Sequence, residues 1–196
     1  MAEQICLPYN EYSSDKTEEK QSFSDPAFSG NKNQPIHRWV PWIAGFSSAF
    51  VKDSLSKYLH GQKTVLDPFA GVGTTLVEAM LAGYDSIGFE INPYAALASR
   101  TKANAHQIDL NSLGEKIKGF QSFYSKSVCE DYEPHSTPPD GFRTRAEFYS
   151  PEVLRKVLIV QDYMSNIGCP LLQDVFHLAF ASTMVRYSNN LYWTYN

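Results

Sequence analysis

TVLDPFAGVGTTLVEAMLAGYDSIGFEINPYAALASRTKANA, from Thr64 to Ala105, decides the fold. Val65-Leu66 is a short run of the buried-strand type that ends at Asp67. Pro68-Phe69-Ala70-Gly71-Val72-Gly73 is a turn rich in small residues. Thr74 and Thr75 then open a helix whose apolar side is Leu76, Val77, Ala79, Met80 and Leu81. Gly83 stands where a helix C-cap belongs. Ile87-Gly88-Phe89 reads as a second strand with Glu90 at its end, and Pro93 opens a further helix carrying Ala95, Ala96, Leu97 and Ala98. The order strand, glycine loop, helix, strand, acidic residue, helix is half of a doubly wound nucleotide-binding unit.

The chemistry follows from that order. Glycines at 71 and 73 let the backbone bend sharply and leave no Cβ between main chain and ligand. A carboxylate at the tip of the neighbouring strand, Glu90, can accept both hydroxyls of a ribose. A dinucleotide site calls for G-x-G-x-x-G, but Leu76 stands at the third glycine position. No phosphate-binding lysine follows the loop either. What remains is a nucleoside ligand without a phosphate chain, and S-adenosylmethionine meets that description.

At this point a family resemblance becomes specific. Asp67-Pro68-Phe69-Ala70-Gly71-Val72-Gly73-Thr74 resembles the cofactor loop of the DNA amino-methyltransferases, which methylate N4 of cytosine or N6 of adenine. Members usually read D-P-F-x-G-S-G-T, so Val72 stands where serine is usual. Glu90-Ile91-Asn92-Pro93 is similar to the family's D-I-N-P. The resemblance implies an α/β, Rossmann-like S-adenosylmethionine-dependent methyltransferase fold, incomplete at its C-terminus. It implies that Asp67, Pro68, Phe69, Gly71, Gly73 and Thr74 wrap the methionine part of the cofactor. Glu90 would hold the ribose, and Ile91 and Asn92 would flank the adenine. The segment before the loop, with two tryptophans and two phenylalanines around a helix start, is similar to the family segment that lines the methionine end. Phe46 and Ser47 are the residues carried over there, with Trp42 nearby. Trp39 is read as core, and Ser47 or Ser48 as the cap of the helix that follows.

Composition bounds the alternatives. The 196 residues suit one domain, and 43% hydrophobic content suffices for a core. A net charge of −4 argues against a generally basic nucleic-acid binder and leaves room for a local patch. Cys6, Cys129 and Cys169 are odd in number and scattered, which reads as reduced thiols in a cytoplasmic setting. No run is apolar enough to span a membrane.

The chain then divides. Residues 1–35 read as a polar N-terminal tail, 36–130 as the cofactor-binding Rossmann-like half, and 131–196 as a linker and helical segment leading toward a catalytic part. Arg100 and Lys102, near a helix C-terminus, read as solvated charges. His106 to Asp109 is a weak third strand. Leu113, Ile117, Phe120 and Tyr124 step as one helix over Leu110 to Glu130. Ser150-Pro151-Glu152 starts another, and a last helix runs from Pro170 to Arg186.

The family's catalytic tetrad is Asp, Asn or Ser, then Pro-Pro, then an aromatic. Thr137-Pro138-Pro139-Asp140 lacks both the acid and the aromatic and reads as a loop. Catalysis is therefore expected from a complementary C-terminal chain, with DNA as partner, and no methyl transfer from this chain alone. Two other readings stay open: a non-catalytic S-adenosylmethionine-binding or regulatory module, and a fragment of an RNA methyltransferase.

Overall fold

The computed structural model describes residues 23–42, 45–61, 64–139 and 148–188. Their elements are α1 (Ser48–Tyr58), β1 (Thr64–Asp67), α2 (Thr74–Leu81), β2 (Asp85–Gly88), α3 (Pro93–Ala103), α4 (Leu110–Cys129), α5 (Pro151–Ser165) and α6 (Pro170–Met184). Of the 3-10 turns, Phe28–Asn33 and His37–Trp39 precede α1, Ala105–Gln107 joins α3 to α4, and Val185–Tyr187 follows α6. β1 and β2 pair in parallel with Leu66 opposite Ile87, and α2 makes the crossover that parallel pairing requires. The result is a mixed α/β unit around a two-stranded parallel sheet.

Local chemistry explains most boundaries. Ser47, Asn92, Asp109 and Ser150 each accept backbone N–H groups at the starts of α1, α3, α4 and α5. Gly83, in the left-handed region at φ 78°, closes α2. The second strand is set two residues earlier than Ile87–Phe89, although the Phe89 N–H still donates to the Asp67 carbonyl. The third strand expected at His106–Asp109 is not formed. Ala105–Gln107 is a 3-10 turn stitched by Gln107 to Asn104, and Asp109 is committed to capping α4. Local side-chain bonds outcompete a strand here.

Three further expectations are corrected. Residues 23–35 are a docked part of the fold and not a tail; the expectation for residues 1–22 lies outside the described residues. Asn31, fully buried, donates to the Phe46 carbonyl and accepts the Ser48 N–H, and Ser24 donates its N–H to Asp53. Trp39 is 39% exposed; the turn His37–Trp39 sends His37 and Val40 inward instead. Lys102 is fully buried, and Arg100 makes a bidentate pair with Asp174 of α6.

The core explains why the glycine loop keeps its shape. Val40, Val72, Ala95, Ala98 and Leu178 meet behind it, with Trp42, Tyr94 and Leu97 packed around them. The loop is thus backed by α3 and α6, and tied to the end of β2 by the Ala70 N–H, which donates to the Phe89 carbonyl at 2.9 Å. On the other side, Leu66, Ile87 and Phe89 leave the sheet with an exposed apolar face.

Away from the loop, α4, α5 and α6 gather the aromatics Phe120, Phe123, Tyr163 and Phe176. The chain after α4 is clamped to α5 by Asp162, which accepts the His135 and Ser136 N–H groups at 2.8 and 2.7 Å and the Tyr132 hydroxyl at 3.0 Å. Burial opposes the charge on Asp162, but those bonds together hold its carboxyl below the ordinary aspartate range. Its stabilisation is therefore present above that range and is lost as pH falls through the lowered value. Asp162→Ala should cost about 2 kcal/mol at neutral pH, because two backbone donors lose their acceptor. Urea melts at neutral and acid pH check this: the gap between wild type and variant should close in acid.

Candidate functional site

The loop between β1 and α2 is fixed by bonds from three directions. Asp67 accepts the Phe69 N–H at 3.0 Å, and the Gly73 N–H donates to the Ala70 carbonyl at 2.8 Å. Glu90 reaches over from the end of β2, with Oε2 accepting the Gly71 N–H at 2.9 Å and Oε1 accepting the Asn92 N–H at 2.7 Å. From below, the buried Lys102 ammonium donates to the Val72 carbonyl at 2.8 Å. Gly71 and Gly73 take φ of 51° and 82°, a region that favours glycine.

The two glycines have different reasons to lack a side chain. A Cβ at Gly71 would lie 3.6 Å from Trp42 Nε1, an ordinary contact. A Cβ at Gly73 would lie 2.7 Å from Ser99 Cβ and 2.8 Å from Ser99 Cα. Gly73 therefore lets α3 pack directly on the loop. The absence of a Cβ at Gly73 is thus demanded by packing against α3.

A cavity of about 470 Å³ opens on this loop. Of the residues expected in a site, Phe46, Asp67, Phe69, Gly71 and Thr74 line it together. Asp25, Pro26 and Ala27 of the docked arm complete the wall, a contribution no local motif signals. The arm is held there by Ser47, whose N–H donates to the Pro26 carbonyl at 2.8 Å and whose hydroxyl donates to the Asp25 carbonyl, and by the antiparallel bridge between Ala27 and Phe46. Ser47 is buried and spent on capping α1 and on the Asp25 carbonyl, so it supports the wall and does not face the cavity. Pro68 is exposed at the turn. Ile91 is 99% exposed, and the Asn92 side chain is taken up by the N–H groups of Tyr94 and Ala95.

Glu90 belongs to both sides of the loop. It binds Gly71 at the cavity and also lines a groove of about 890 Å³ along β2, with Gly88, Ser99, Arg100 and His106. Each Glu90 oxygen spends one lone pair on backbone and keeps another, so two hydroxyls can still be accepted there. The fit to a nucleoside sulfonium is then good in kind. There is a cavity of ordinary small-molecule size lined by Asp67, a backbone loop with left-handed glycines, and the Glu90 carboxylate beside that loop on the neighbouring groove. Among the described residues no cluster of His, Cys, Asp and Glu suits a metal ion, and Cys129 and Cys169 are exposed free thiols. No described helix is long and apolar enough to cross a membrane.

Thr137 to Pro139 are exposed, irregular chain following α4, and Asp140 lies outside the described residues.

Comparison with known proteins gives the chain a family. A family model for N6 and N4 methyltransferases, described as DNA methylase, matches residues 2–100. The chain is 33% identical over 135 residues to the Type II methyltransferase M.BsoBI of Geobacillus stearothermophilus, covering 63% of this chain and 26% of that protein. It is 32% identical over 164 residues to the Type II methyltransferase M.MjaII of Methanocaldococcus jannaschii, covering 81% of this chain and 30% of that protein. With M.AvaI of Anabaena variabilis it shares 35% identity over 68 residues. The matches thus span between about a quarter and a third of the first two relatives' length. No solved structure matches the chain.

Proposed function

The chain belongs to the DNA methylase family of N6 and N4 amino-methyltransferases, and from that premise we propose that it forms the S-adenosylmethionine-binding part of an enzyme that methylates an exocyclic amine of cytosine or adenine in DNA. The observation that carries this reading is Glu90. Its carboxylate is joined to the Gly71 N–H of a glycine loop that opens on a cavity of suitable size. In this reading β1, α2, β2 and α3 form the first half of a Rossmann-like sheet.

When bound, the cofactor would supply an electrophilic methyl group. This chain's own residues bind and orient it. Asp67, Phe46 and the backbone from Ala70 to Gly73 surround the methionine end. Glu90 takes the ribose, and Ile91 with the start of α3 lies where the adenine would rest. The exposed Phe69, with Phe46, presents an apolar edge that keeps water from the methyl. The target base is taken out of the duplex so that its amine can approach the methyl in line.

The amine must be held by an acid or amide and a pair of prolines, and Thr137-Pro138-Pro139-Asp140 does not provide that chemistry. A further segment, on the same polypeptide or on a complementary chain, would bring it. The exposed apolar side chains of Leu66, Ile87 and Phe89 offer a surface against which such a segment would pack.

Calorimetric titration with S-adenosylhomocysteine tests the binding half of the proposal: saturable one-to-one binding is expected. Methyl incorporation into duplex DNA, with structured RNA as the competing substrate, tests the rest. Labelling should require a segment with a Pro-Pro-aromatic tetrad and should favour DNA. Absence of any nucleoside binding would sink the reading.

A further inference from the structure

We propose that Lys102 is a positioning residue for the cofactor loop, joined to Glu90 through a single chain of hydrogen bonds that runs along the loop backbone. The inference rests on the cofactor reading of the loop and adds a residue that neither motif nor cavity contains.

The chain can be followed atom by atom. Lys102 Nζ donates to the Val72 carbonyl at 2.8 Å. The Val72 carbonyl and the Gly73 N–H belong to one peptide unit. That Gly73 N–H donates to the Ala70 carbonyl at 2.8 Å. The Ala70 carbonyl and the Gly71 N–H belong to a second peptide unit, and the Gly71 N–H donates to Glu90 Oε2 at 2.9 Å. All the donors point the same way, from an ammonium at one end to a carboxylate at the other. Peptide dipoles in series polarise one another, so each bond strengthens the next.

Burial makes the ammonium end consequential. Lys102 is fully buried, and no carboxylate among the described residues lies within ion-pair distance of it. Burial alone pushes its pKa down to about 8. An ammonium kept in such a place without an acid beside it is costly unless it is well bonded. The Val72 carbonyl is its acceptor, and the line of dipoles leading to Glu90 is the compensation that geometry offers. A methionine at 102 would fill the same space without that cost. The lysine is thus explained by what it does to the loop: it holds the Val72 carbonyl inward, so that the Gly71 N–H is presented to the Glu90 carboxylate.

A simple packing role and a positioning role differ in what they do at a distance. In ligand-free protein, amide proton shifts of Gly71 and Gly73 report the strength of their bonds. Lys102→Met should move both resonances upfield, including that of Gly71, which Lys102 does not touch. Glu90→Gln should move the Gly73 resonance from the other end. If Lys102→Met does not fold, Glu90→Gln interrogates the same chain and decides alone. Titration with S-adenosylhomocysteine adds a cycle: Lys102→Met should weaken binding about tenfold, and the double variant should be no weaker than the weaker single.

Unchanged Gly71 shifts in Lys102→Met together with unchanged Gly73 shifts in Glu90→Gln would overturn the proposal, as would additive losses in the cycle. Wild-type protein that binds no S-adenosylhomocysteine would instead overturn the cofactor reading, while the amide shifts would still decide the hydrogen-bond chain.

Discussion

Gly73→Val is expected to abolish cofactor binding and to destabilise the fold by more than about 4 kcal/mol, a loss reserved for changes that force backbone apart. Position 73 combines two obstacles. Its φ of 82° is a conformation that a β-branched residue adopts only under strain. Its Cβ would also sit 2.8 Å from the Ser99 Cα, an atom of the α3 backbone that no rotamer change can move aside. Relief requires α3 to slide away from the loop, which would pull Lys102 off the Val72 carbonyl and open the core at Ala95 and Ala98. Gly71→Ala offers the contrast. Its Cβ would meet only the Trp42 indole at 3.6 Å, so the cost is the left-handed backbone alone, about 1–2 kcal/mol. Denaturant midpoints and calorimetric titration of both variants separate the cases. A Gly73→Val protein as stable as Gly71→Ala would refute the close-packing account.

How much of this was legible beforehand depends on the range of the forces involved. The strand, loop, helix and second strand between Thr64 and Gly88 are written in local patterns: a short apolar run, two glycines, a 3.6-residue apolar stripe and a C-cap. The caps Ser47 and Ser150 are local too, because a side chain and the next two or three N–H groups suffice. The third strand was a misreading of His106 to Asp109, since an apolar residue between polar ones is weak evidence against a cap and a turn. Tertiary placement was not legible. Nothing around Asp25 to Ala27 indicates that the arm returns to wall the cavity, and nothing near Lys102 indicates burial, because a lysine late in a helix is most often solvated. Likewise the loop's family resemblance implied a site at Asp67, Gly71 and Thr74, whereas the bond that the Gly71 N–H donates to Glu90, which makes a strand-end carboxylate part of the loop, depends on the parallel register of β1 and β2.

That bond governs the second large effect, which is expected at Glu90→Ala. The variant should lose affinity for S-adenosylhomocysteine by about a hundredfold, ~3 kcal/mol. Two contributions add. The ribose hydroxyls lose their charged acceptor, a change on the order of 1.5–3 kcal/mol. The Gly71 and Asn92 N–H groups lose theirs as well, so the loop must spend binding free energy on regaining its shape. If Glu90 only braced the loop, stability and affinity would fall together, and Glu90→Gln, which keeps one of the two acceptor oxygens, would restore both only in part. If it also holds the ligand, affinity falls further than stability does. Glu90→Asp should lose less than about 1 kcal/mol of affinity, because the carboxylate is retained and the loop's family resemblance has aspartate at this position. The comparison to make is therefore the ratio of binding loss to unfolding loss across Ala, Gln and Asp. Binding by Glu90→Ala that matches wild type would leave the carboxylate as nothing more than the end of a strand, and the site would have to be sought along the groove beside β2.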